Sequence, residues 1–344
     1  MDGRAGGRGP RRRRDRGAAP AGSQAVSARL AVGIVAHGNR DLALEALASL
    51  TGMGAPSEPC ALLLLDNASE DGTVAAVRAA FPTADVVAQP FRDGFGANHN
   101  RLLTRAAADY HLILNDDAVL EPDALDRLVA HLDAHPEAAV AAPLVTYPDG
   151  RPQATAFRFP DPASCLRSLA TLGQYGVEQR IASGWGRVGW ASGCALLVRR
   201  TALAETGPFD PGFYMFSEET DLQRRLADRG WQTHLVADAV VRHHVRASTG
   251  GDPASRIVEF WRSRRRYWAK HHPRTGGDAA RLALGGQYAA LAGLARLPGP
   301  LRRLAPGLPA SELDLHVRNV LHGPTGPGLR ERADAWNAAH GVHR

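Results

Sequence analysis

Short apolar runs that alternate with helical stretches restrict the fold of this chain more than any other feature. The three clearest runs are Leu30–Ala36, Ala61–Leu65 and Tyr110–Leu114. Strands without an apolar–polar alternation are typical of parallel sheets that are covered on both faces. Predicted helices separate the runs, over Asp41–Leu50, Glu70–Ala80 (capped by Ser69) and Ala97–Ala108. The repeated strand–helix units predict an α/β fold with a Rossmann-like, mostly parallel central sheet flanked by helices.

The second half of the chain is less regular. We expect one domain over residues 28–250, divided into 28–117 and 118–250, and a C-terminal helical extension over 251–344. Predicted elements of this half are a hairpin over 144–157, strands over Trp190–Val198, Thr233–Val236 and Ala239–Val241, and helices over Glu219–Arg229 and Pro253–Lys270. Residues 1–27 are mainly Gly, Arg, Pro, Ala and Ser, too poor in apolar side chains to fold, so we expect a disordered basic tail.

The net charge of +6 is unevenly distributed along the chain. Residues 1–17 carry +5, residues 256–274 carry +6 and residues 275–344 carry +3, which leaves −8 for residues 18–255. A nucleic-acid binder is expected to show its basic stripe on the folded domain, so we expect no nucleic-acid partner. An acidic middle suits a site that needs a cation before it accepts a phosphate. The basic helix Pro253–Lys270 has two interpretations: it rests on an anionic membrane surface, or it covers the core.

Several absences point to the compartment. No apolar run follows the Arg-rich start, and no stretch of about 20 uncharged apolar residues occurs. Cys60, Cys165 and Cys194 lack metal-type spacing and are interpreted as ordinary thiols in a reducing compartment. We expect a cytoplasmic protein, with peripheral contact at the inner face of the cell membrane left open.

Polar clusters follow two of the buried runs. Asn115, Asp116 and Asp117 come directly after Tyr110–Leu114, and Asp66 ends Ala61–Leu65. In parallel sheets ligands bind at the carboxyl ends of strands, where carboxylates can hold Mg²⁺ or Mn²⁺ and the cation takes diphosphate oxygens as further ligands. Asp66 could accept hydrogen bonds from a nucleobase or ribose. The alternative for both clusters is a solvated turn with a helix cap.

A second set of candidates lies further along the chain. Glu218 and Glu219 begin a predicted helix, which is explained either by the helix dipole or by a general base that faces a reaction centre. Arg225 lies about two turns further on, where a guanidinium could bind a diphosphate. His243 follows a strand and is either structural or a metal ligand. The loop around Gly94 and Gly96 lacks the third glycine of a dinucleotide fingerprint, which argues against a dehydrogenase.

The order of these motifs is specific. It comprises Asp-Asn-Ala-Ser-x-Asp-Gly from Asp66, Gly-Phe-Gly-x-Asn ending at Asn98, Leu-Asn-Asp-Asp ending at Asp117, Ser-Gly-Cys-Ala-Leu-Leu-Val-Arg-Arg from Ser192, Gly-x-Phe-Asp, Glu-Glu-x-Asp-Leu from Glu218, and His243. Over residues 29–272 this series resembles family 2 glycosyltransferases, most of all their rhamnosyltransferase-like bacterial branch. The resemblance implies a GT-A fold, a divalent cation (Mg²⁺ or Mn²⁺) and a nucleoside-diphosphate-sugar donor. Residues 28–117 would be the nucleotide-binding half and 118–250 the acceptor half.

The resemblance also implies roles for single residues. Asp66 matches the base-binding Asp, Asp117 the metal-binding acid and His243 the histidine that closes the metal site. The remaining donor-binding candidates are Asn39, Asn98, Asn115, Asp116 and Arg225. Asn39 belongs to His37-Gly38-Asn39-Arg40, which replaces the commoner Tyr-Asn-Arg, and Asn115 replaces the first acid of the metal motif.

The catalytic assignment rests on the same resemblance. Glu219 stands where the family usually has its catalytic Asp, with Glu218 as the neighbouring candidate. Trp190, Ser192, Gly193 and Asp221 are assigned to the sugar or acceptor subsite. We therefore expect an inverting, metal-dependent transfer of a sugar, rhamnose being one option, to a hydroxyl of a saccharide, polyprenyl-linked or small-molecule acceptor. Cell-wall, polysaccharide or glycoconjugate synthesis is the expected setting.

Two other functions remain open on the sequence. The first is a binding or scaffold protein that keeps this fold without catalysis, in which case nucleotide-sugar turnover is nil. The second is a nucleic-acid-binding protein that uses the Arg-rich ends, with salt-dependent binding that survives deletion of residues 1–27. Neither accounts for the ordered acids in the middle of the chain.

Overall fold

The computed structural model of the protein describes residues 26–51, 55–172, 176–179, 183–244, 252–274, 277–298 and 308–344. The helices in these ranges are α1 (Arg40–Ala48), α2 (Thr73–Ala80), α3 (Phe95–Leu103), α4 (Ala124–Ala134), α5 (Pro162–Ala170), α6 (Arg200–Thr206), α7 (Glu218–Asp228), α8 (Pro253–His271), α9 (Asp278–Ala295), α10 (Ala310–His322) and α11 (Leu329–Ala339). The strands are β1 (Val26–Ser27), β2 (Leu30–Ala36), β3 (Cys60–Asn67), β4 (Asp85–Gln89), β5 (Ala106–Ala107), β6 (Tyr110–Asn115), β7 (Ala118–Leu120), β8 (Ala138–Thr146), β9 (Ala156–Phe157), β10 (Trp185–Val188), β11 (Trp190–Ala191), β12 (Ala195–Arg199) and β13 (Gln232–His243).

A nine-stranded sheet lies at the centre, in the order β10-β13-β8-β12-β6-β2-β3-β4, with β7 paired to β13. Strands β4, β3, β2 and β6 are mutually parallel, and β8 is parallel to β13. Strand β12 runs antiparallel between these two groups, so six strands point the same way. The structure confirms the predicted α/β fold with a mostly parallel central sheet. The carboxyl ends of β2, β3, β6 and β13 meet at one edge.

Both faces of the sheet are covered, which explains the apolar runs without polar alternation. On β3, Leu64 packs with residues of α1, α2 and α4, whereas Leu63 and Leu65 pack on the opposite side with Leu102 of α3. All four leucines are at most 3% exposed. A polar residue at any of these positions would be buried without a partner, so the strand sequence is apolar throughout.

Several sequence-based boundaries are wrong. The predicted helix Ala97–Ala108 ends at Leu103, and Ala106–Ala107 is strand β5. The predicted strand Trp190–Val198 is two strands, because Ser192 to Cys194 leave the sheet and β11 pairs with β9 instead of β6. The two strands predicted around residues 233–241 are one strand, β13, which has a register shift between Val236 and Val240. Ser69 is not a helix cap: α2 begins at Thr73, and the Ser69 hydroxyl accepts a hydrogen bond from the Gly38 amide.

The C-terminal helices pack against the sheet domain around α8. Trp261, Tyr267 and Trp268 of α8 are at most 2% exposed, and Lys270 forms ion pairs with Asp210 and Asp221. Of the two interpretations of this basic helix, the structure shows the one in which it covers a core. Among the described helices, none has the length and hydrophobicity needed to cross a membrane.

The structure describes only part of the two boundaries predicted for the 28–250 domain. Residues 1–25 of the predicted tail lie outside the described residues, and so does the predicted boundary at 250/251. Val26–Ser27, also assigned to the tail, forms β1 and pairs in parallel with β5.

Candidate active site

A cleft of about 710 Å³ opens at the edge where the carboxyl ends of the parallel strands meet. Six of the predicted site residues line it: Asn115, Asp116, Ser192, Gly193, Glu218 and Glu219. Its other lining residues are Val35, His37, Gly38, Asn67, Arg92, Asp93, Phe95, Cys194, Tyr214, Met215, Phe216, Leu329, Arg332, Ala333 and Trp336. The position agrees with the rule that ligands of open α/β sheets bind outside the strand carboxyl ends.

Asp117 and His243 meet beside Asn115, because β7 pairs with the end of β13. The amide nitrogen of Gln153 donates to Thr146 O (3.0 Å) and His243 O (2.8 Å), which turns its carboxamide oxygen to His243 Nδ1 at 3.0 Å. The hydrogen-bond network therefore places a proton on Nδ1. In the neutral ring, which is the form that binds a metal, His243 Nε2 presents a lone pair to Asp117 Oδ1, 3.1 Å away.

This contact brings two acceptors together. Asp117 is 2% exposed, and its Oδ1 has no hydrogen-bond donor among the described residues. A buried carboxylate oxygen facing an imidazole lone pair is costly unless a cation lies between them. The donor set, one carboxylate and one neutral imidazole, fits Mn²⁺ or Mg²⁺ that takes its further ligands from water and phosphate oxygens. Sequence reasoning missed Gln153, since nothing in its local pattern indicates a partner 90 residues away.

Asp66 and Asp116 occupy the neighbouring strand ends. Asp66 is 3% exposed; its Oδ2 accepts from the Ser69 amide at 3.1 Å, while Oδ1 has no hydrogen-bond partner in the described part of the chain. Asp116 Oδ2 accepts from the His37 amide (3.1 Å) and from Asn39 Nδ2 (3.3 Å). Asn39 therefore holds the loop after β2 against Asp116, and it does not itself line the cleft.

Glu218 and Glu219 begin α7 and face the cleft from a strained turn. Phe216 and Ser217 have φ values of 67° and 64°, a left-handed conformation that non-glycine residues rarely adopt. Both Glu Oε2 atoms are buried and have no hydrogen-bond partner among the described residues. Burial raises the pKa of both carboxyl groups, and the charge of Glu219 raises the pKa of Glu218 further. Arg264 of α8 acts in the opposite direction on the pKa of Glu219.

The glycine-rich loop holds these elements together. A Cβ atom at Gly94 would lie 2.4 Å from Tyr214 O, and one at Gly96 would lie 2.8 Å from Phe209 Cβ. The loop thus packs directly on the segment that precedes α7, and the Phe95 amide donates to Tyr214 O at 2.9 Å. Asn98 is fully buried under the loop and donates to Asp93 O at 3.2 Å.

Eight predicted site residues lie outside the cleft lining: Asn39, Asp66, Asp117 and His243, described above, and Asn98, Trp190, Asp221 and Arg225. Trp190 stacks on Phe157 with ring centroids 4.7 Å apart. Arg225 donates to Asp221 and to the carbonyl oxygens of residues 206–208. Asp221 is fully buried and accepts from Lys270 and His271 at 2.8 Å, which ties α7 to α8.

One wall of the cleft was not anticipated from the sequence. Helix α11 contributes Leu329, Arg332, Ala333 and Trp336 to the lining. The Arg92 guanidinium, on the loop after β4, lies 4.2 Å from the Trp336 ring centroid. Helix α11 is more than 200 residues from this loop in sequence, so only the tertiary structure shows the contact.

The fold, the cleft and the motifs together define a sugar-transferring enzyme, and residues 31–207 match the family "Glycosyl transferase family 2". The chain belongs to this glycosyltransferase family. It is 31% identical over 240 residues to N-acetylglucosaminyl-diphospho-decaprenol L-rhamnosyltransferase of Mycobacterium tuberculosis, an alignment that covers 63% of this chain and 77% of the relative.

Solved structures support the GT-A fold. The chain is similar to a mannosyltransferase from Pyrobaculum calidifontis in complex with GDP-Man and Mn²⁺, with a TM-score of 0.50, 18% identity and coverage of 92% of this chain and 85% of that one. It is also similar to GalNAc-T7 with UDP, GalNAc and Mn²⁺, with a TM-score of 0.53, 14% identity and coverage of 92% and 58%. Both likenesses concern the fold.

Proposed function

We propose that this protein is an inverting, divalent-cation-dependent rhamnosyltransferase. Its donor is a nucleoside-diphosphate rhamnose, and its acceptor is a hydroxyl of a saccharide carried on a polyprenyl diphosphate, in the synthesis of a cell-wall polymer or glycoconjugate. The sugar and the acceptor class are taken from the mycobacterial relative's name. A lipid-linked acceptor would bring the enzyme to a membrane surface.

The contact between Asp117 and His243 is the observation that carries the proposal. The buried Asp117 Oδ1 and the His243 Nε2 lie 3.1 Å apart, with His243 held by Gln153, and would supply two of the six ligands of an octahedral Mn²⁺ or Mg²⁺ site. When bound, such a cation neutralises the charge that develops on the leaving nucleoside diphosphate. Asn115 lies next to the pair, with its Nδ2 3.5 Å from His243 Nε2, and supports the proposed position of the diphosphate in the cleft.

Glu219 is the proposed general base. It removes the proton of the acceptor hydroxyl as that oxygen bonds to the anomeric carbon, while the bond from this carbon to the diphosphate oxygen breaks and the configuration inverts. The charge of Arg264 favours the ionised form of Glu219, whereas Glu218 has its pKa raised both by burial and by Glu219. This asymmetry supports Glu219, rather than Glu218, as the base.

Gly193 supports the same placement of the reacting sugar. A Cβ atom at Gly193 would lie 3.4 Å from the Phe95 ring and 3.6 Å from Glu219 Cβ. A side chain there would occupy space in front of the proposed base, so the glycine keeps this part of the cleft open. Asp66, with its unpartnered Oδ1, is the proposed contact for the nucleoside.

A donor and acceptor screen tests the proposal. dTDP-, UDP- and GDP-sugars are incubated with Mn²⁺ or Mg²⁺ and a short-chain polyprenyl diphosphate carrying N-acetylglucosamine, and both nucleotide release and glycosylated acceptor are measured. The expected result is acceptor-dependent release with a rhamnose donor, lost in Glu219→Gln. Nucleotide-sugar binding without turnover for every donor would instead support the scaffold alternative.

A further inference from the structure

A cluster of three histidines and a glutamate lies at the end of the sheet opposite the cleft. His131 is in the last turn of α4 and His135 directly follows this helix, one turn later, so both project from the same side. Glu137 precedes β8, and His234 is the third residue of β13. Since His243 at the other end of β13 lies beside Asn115 of the cleft, the cluster is separate from the active site.

The cluster has the spacing of a metal site. One ligand atom from each of His135, Glu137 and His234 lies within 4.8 Å of those of the other two. His135 Nδ1 is 3.3 Å from Glu137 Oε1. Two ligand atoms of a tetrahedral zinc site, each about 2.0–2.1 Å from the ion, are separated by roughly 3.3–3.4 Å. His135 and Glu137 have side-chain exposures of 24% and 43%, so they can rotate to complete the geometry.

His131 orients the buried member of the set. Its Nε2 lies 2.9 Å from His234 Nδ1, so the two rings share one proton, and His234 Nε2 lies 3.0 Å from Gln232 Oε1. When Zn²⁺ replaces this contact on Nε2, the shared proton stays on His234 Nδ1, which donates to His131. Zinc-bound histidines usually have their second ring nitrogen fixed in this way by a neighbouring group. His234 is fully buried, and the ring of Trp185 stacks on it with centroids 4.4 Å apart. His131 is a positioning residue here, and Trp185 covers the cluster.

The environment of His131 and His234 favours their neutral form. Burial, with a smaller contribution from the neighbouring histidines, lowers the pKa of both to about 4. Neutral imidazole is the form that binds metals. The charged groups that face the cluster are Glu137, which counteracts the lowering for both rings, and Arg187, which adds to the lowering for His234.

We infer that His135, Glu137 and His234 form a second metal site, distinct from the cleft, that binds Zn²⁺. Two imidazoles and one carboxylate are a ligand set that zinc prefers over Mg²⁺, and they leave a fourth position for water. The three ligands come from the end of α4, the start of β8 and the start of β13. Bound Zn²⁺ therefore ties together three segments that are also joined there by the His131–His234 contact and by main-chain bonds such as that from the Gln232 amide to Glu137 O.

Zinc binding by the full-length, tag-free protein tests this inference. Asp117→Asn serves as the parent, because it removes a ligand of the proposed cleft site. Titration calorimetry and metal analysis after gel filtration should give one Zn²⁺ per chain. His135→Gln and Glu137→Gln in this background should each weaken Zn²⁺ binding by more than the roughly 10–100-fold seen for loss of an outer-sphere partner. His343→Gln, an exposed histidine elsewhere, is the matched control and should bind zinc like the parent.

Thermal unfolding gives a second measurement. Zn²⁺ should raise the Tm of the parent and of His343→Gln, and leave the Tm of His135→Gln unchanged, since a ligand stabilises the state that binds it. His135 and Glu137 are partly exposed, so these variants should fold, and circular dichroism checks that they do. The inference would be overturned if the parent, His135→Gln and Glu137→Gln had the same zinc affinity and the same Tm shift. It would also be overturned if the parent bound no Zn²⁺.

Discussion

The side chain of Asn337 pairs with both main-chain polar groups of Arg92. Its Oδ1 accepts from the Arg92 amide at 2.7 Å, and its Nδ2 donates to the Arg92 carbonyl at 2.9 Å. Asn337 is 4% exposed, so both hydrogen bonds are shielded from water. The pair fixes α11 to the loop after β4 and thereby places Trp336 in the wall of the cleft.

Removal of this pair should loosen the wall. Asn337→Ala leaves the main chain of Arg92 without its partners, and each unsatisfied buried group costs about 1–3 kcal/mol. We expect a lower free energy of unfolding in urea titrations and a higher KM for the donor. Ala338→Ser, at the next and exposed position, is the control. If Asn337→Ala kept the wild-type unfolding free energy and the wild-type KM, α11 would have to be held by other contacts.

The metal site should depend on a residue outside the coordination sphere. Gln153→Leu frees His243 Nδ1 from its acceptor, and loss of such an outer-sphere partner typically lowers metal affinity about 10–100-fold. We expect a correspondingly higher Mn²⁺ requirement for turnover. EDTA should abolish activity, and Asp117→Asn should cost more than Asp116→Asn. Full activity in the presence of chelator would remove the cation from the proposed reaction.

The two glutamates of α7 should differ in role. Glu219→Gln keeps the size and polarity of the side chain but removes the base, which typically costs about 10²–10⁴-fold in rate. Donor affinity should remain close to wild type, and Glu219→Asp should keep part of the activity. Glu218→Gln should reduce the rate less than Glu219→Gln does. Single-turnover rates and donor binding measure both effects, and the opposite pattern would exchange the two roles.

The raised pKa values predict how activity and stability change with pH. Glu219 must be ionised to act, so kcat/KM should fall as the pH decreases through a value above the ordinary 4.5. The pKa of Glu218 is also raised in the folded state, so the folded protein binds a proton at Glu218 more tightly than the unfolded chain does. The free energy of unfolding should therefore fall as the pH rises from the unfolded-state pKa of Glu218 to its folded-state pKa. Glu218→Gln should reduce that fall, leaving the part contributed by Glu219, and the exposed Glu45→Gln should not change it. A rate that stays constant down to pH 4.5 would contradict the assignment of the base.

Asp221 should matter for stability. Burial acts to raise its pKa, but hydrogen bonds from His271, Lys270 and Arg225 outweigh it and hold the pKa at about 2. Asp221→Ala leaves these cations without their carboxylate, and breaking a buried ion pair on one side costs about 3–5 kcal/mol. Asp228→Ala, which breaks the half-exposed pair with Arg224, should change the free energy of unfolding by no more than about 0.5 kcal/mol. If both variants lost a similar amount of unfolding free energy in urea titrations, the buried network around Asp221 would contribute no more than an exposed ion pair.

The features of the fold and of the site that depend on local sequence patterns could be predicted from the sequence. Strand β2 has the predicted bounds, Leu30 to Ala36, because its apolar run is buried on both faces. The ordered acids predicted a cleft at the strand ends, and Asp117 and His243 do lie together. Neither Gln153 nor α11 could be predicted, since each meets the site through contacts across 90 residues or more. The break at Gly193 was missed because the flanking residues are as apolar as those of a continuous strand.

The contribution of α11 to the cleft has a consequence for biosynthesis. Residues 31–207 emerge from the ribosome first and contain most of the strands of the central sheet, yet the wall that carries Trp336 is added only when Asn337 reaches Arg92. A nascent or prematurely terminated chain that stops before α11 can therefore bury much of its core while its cleft stays open on one side. The complete cleft therefore requires residue 337, whereas most strands of the central sheet lie before it in the chain.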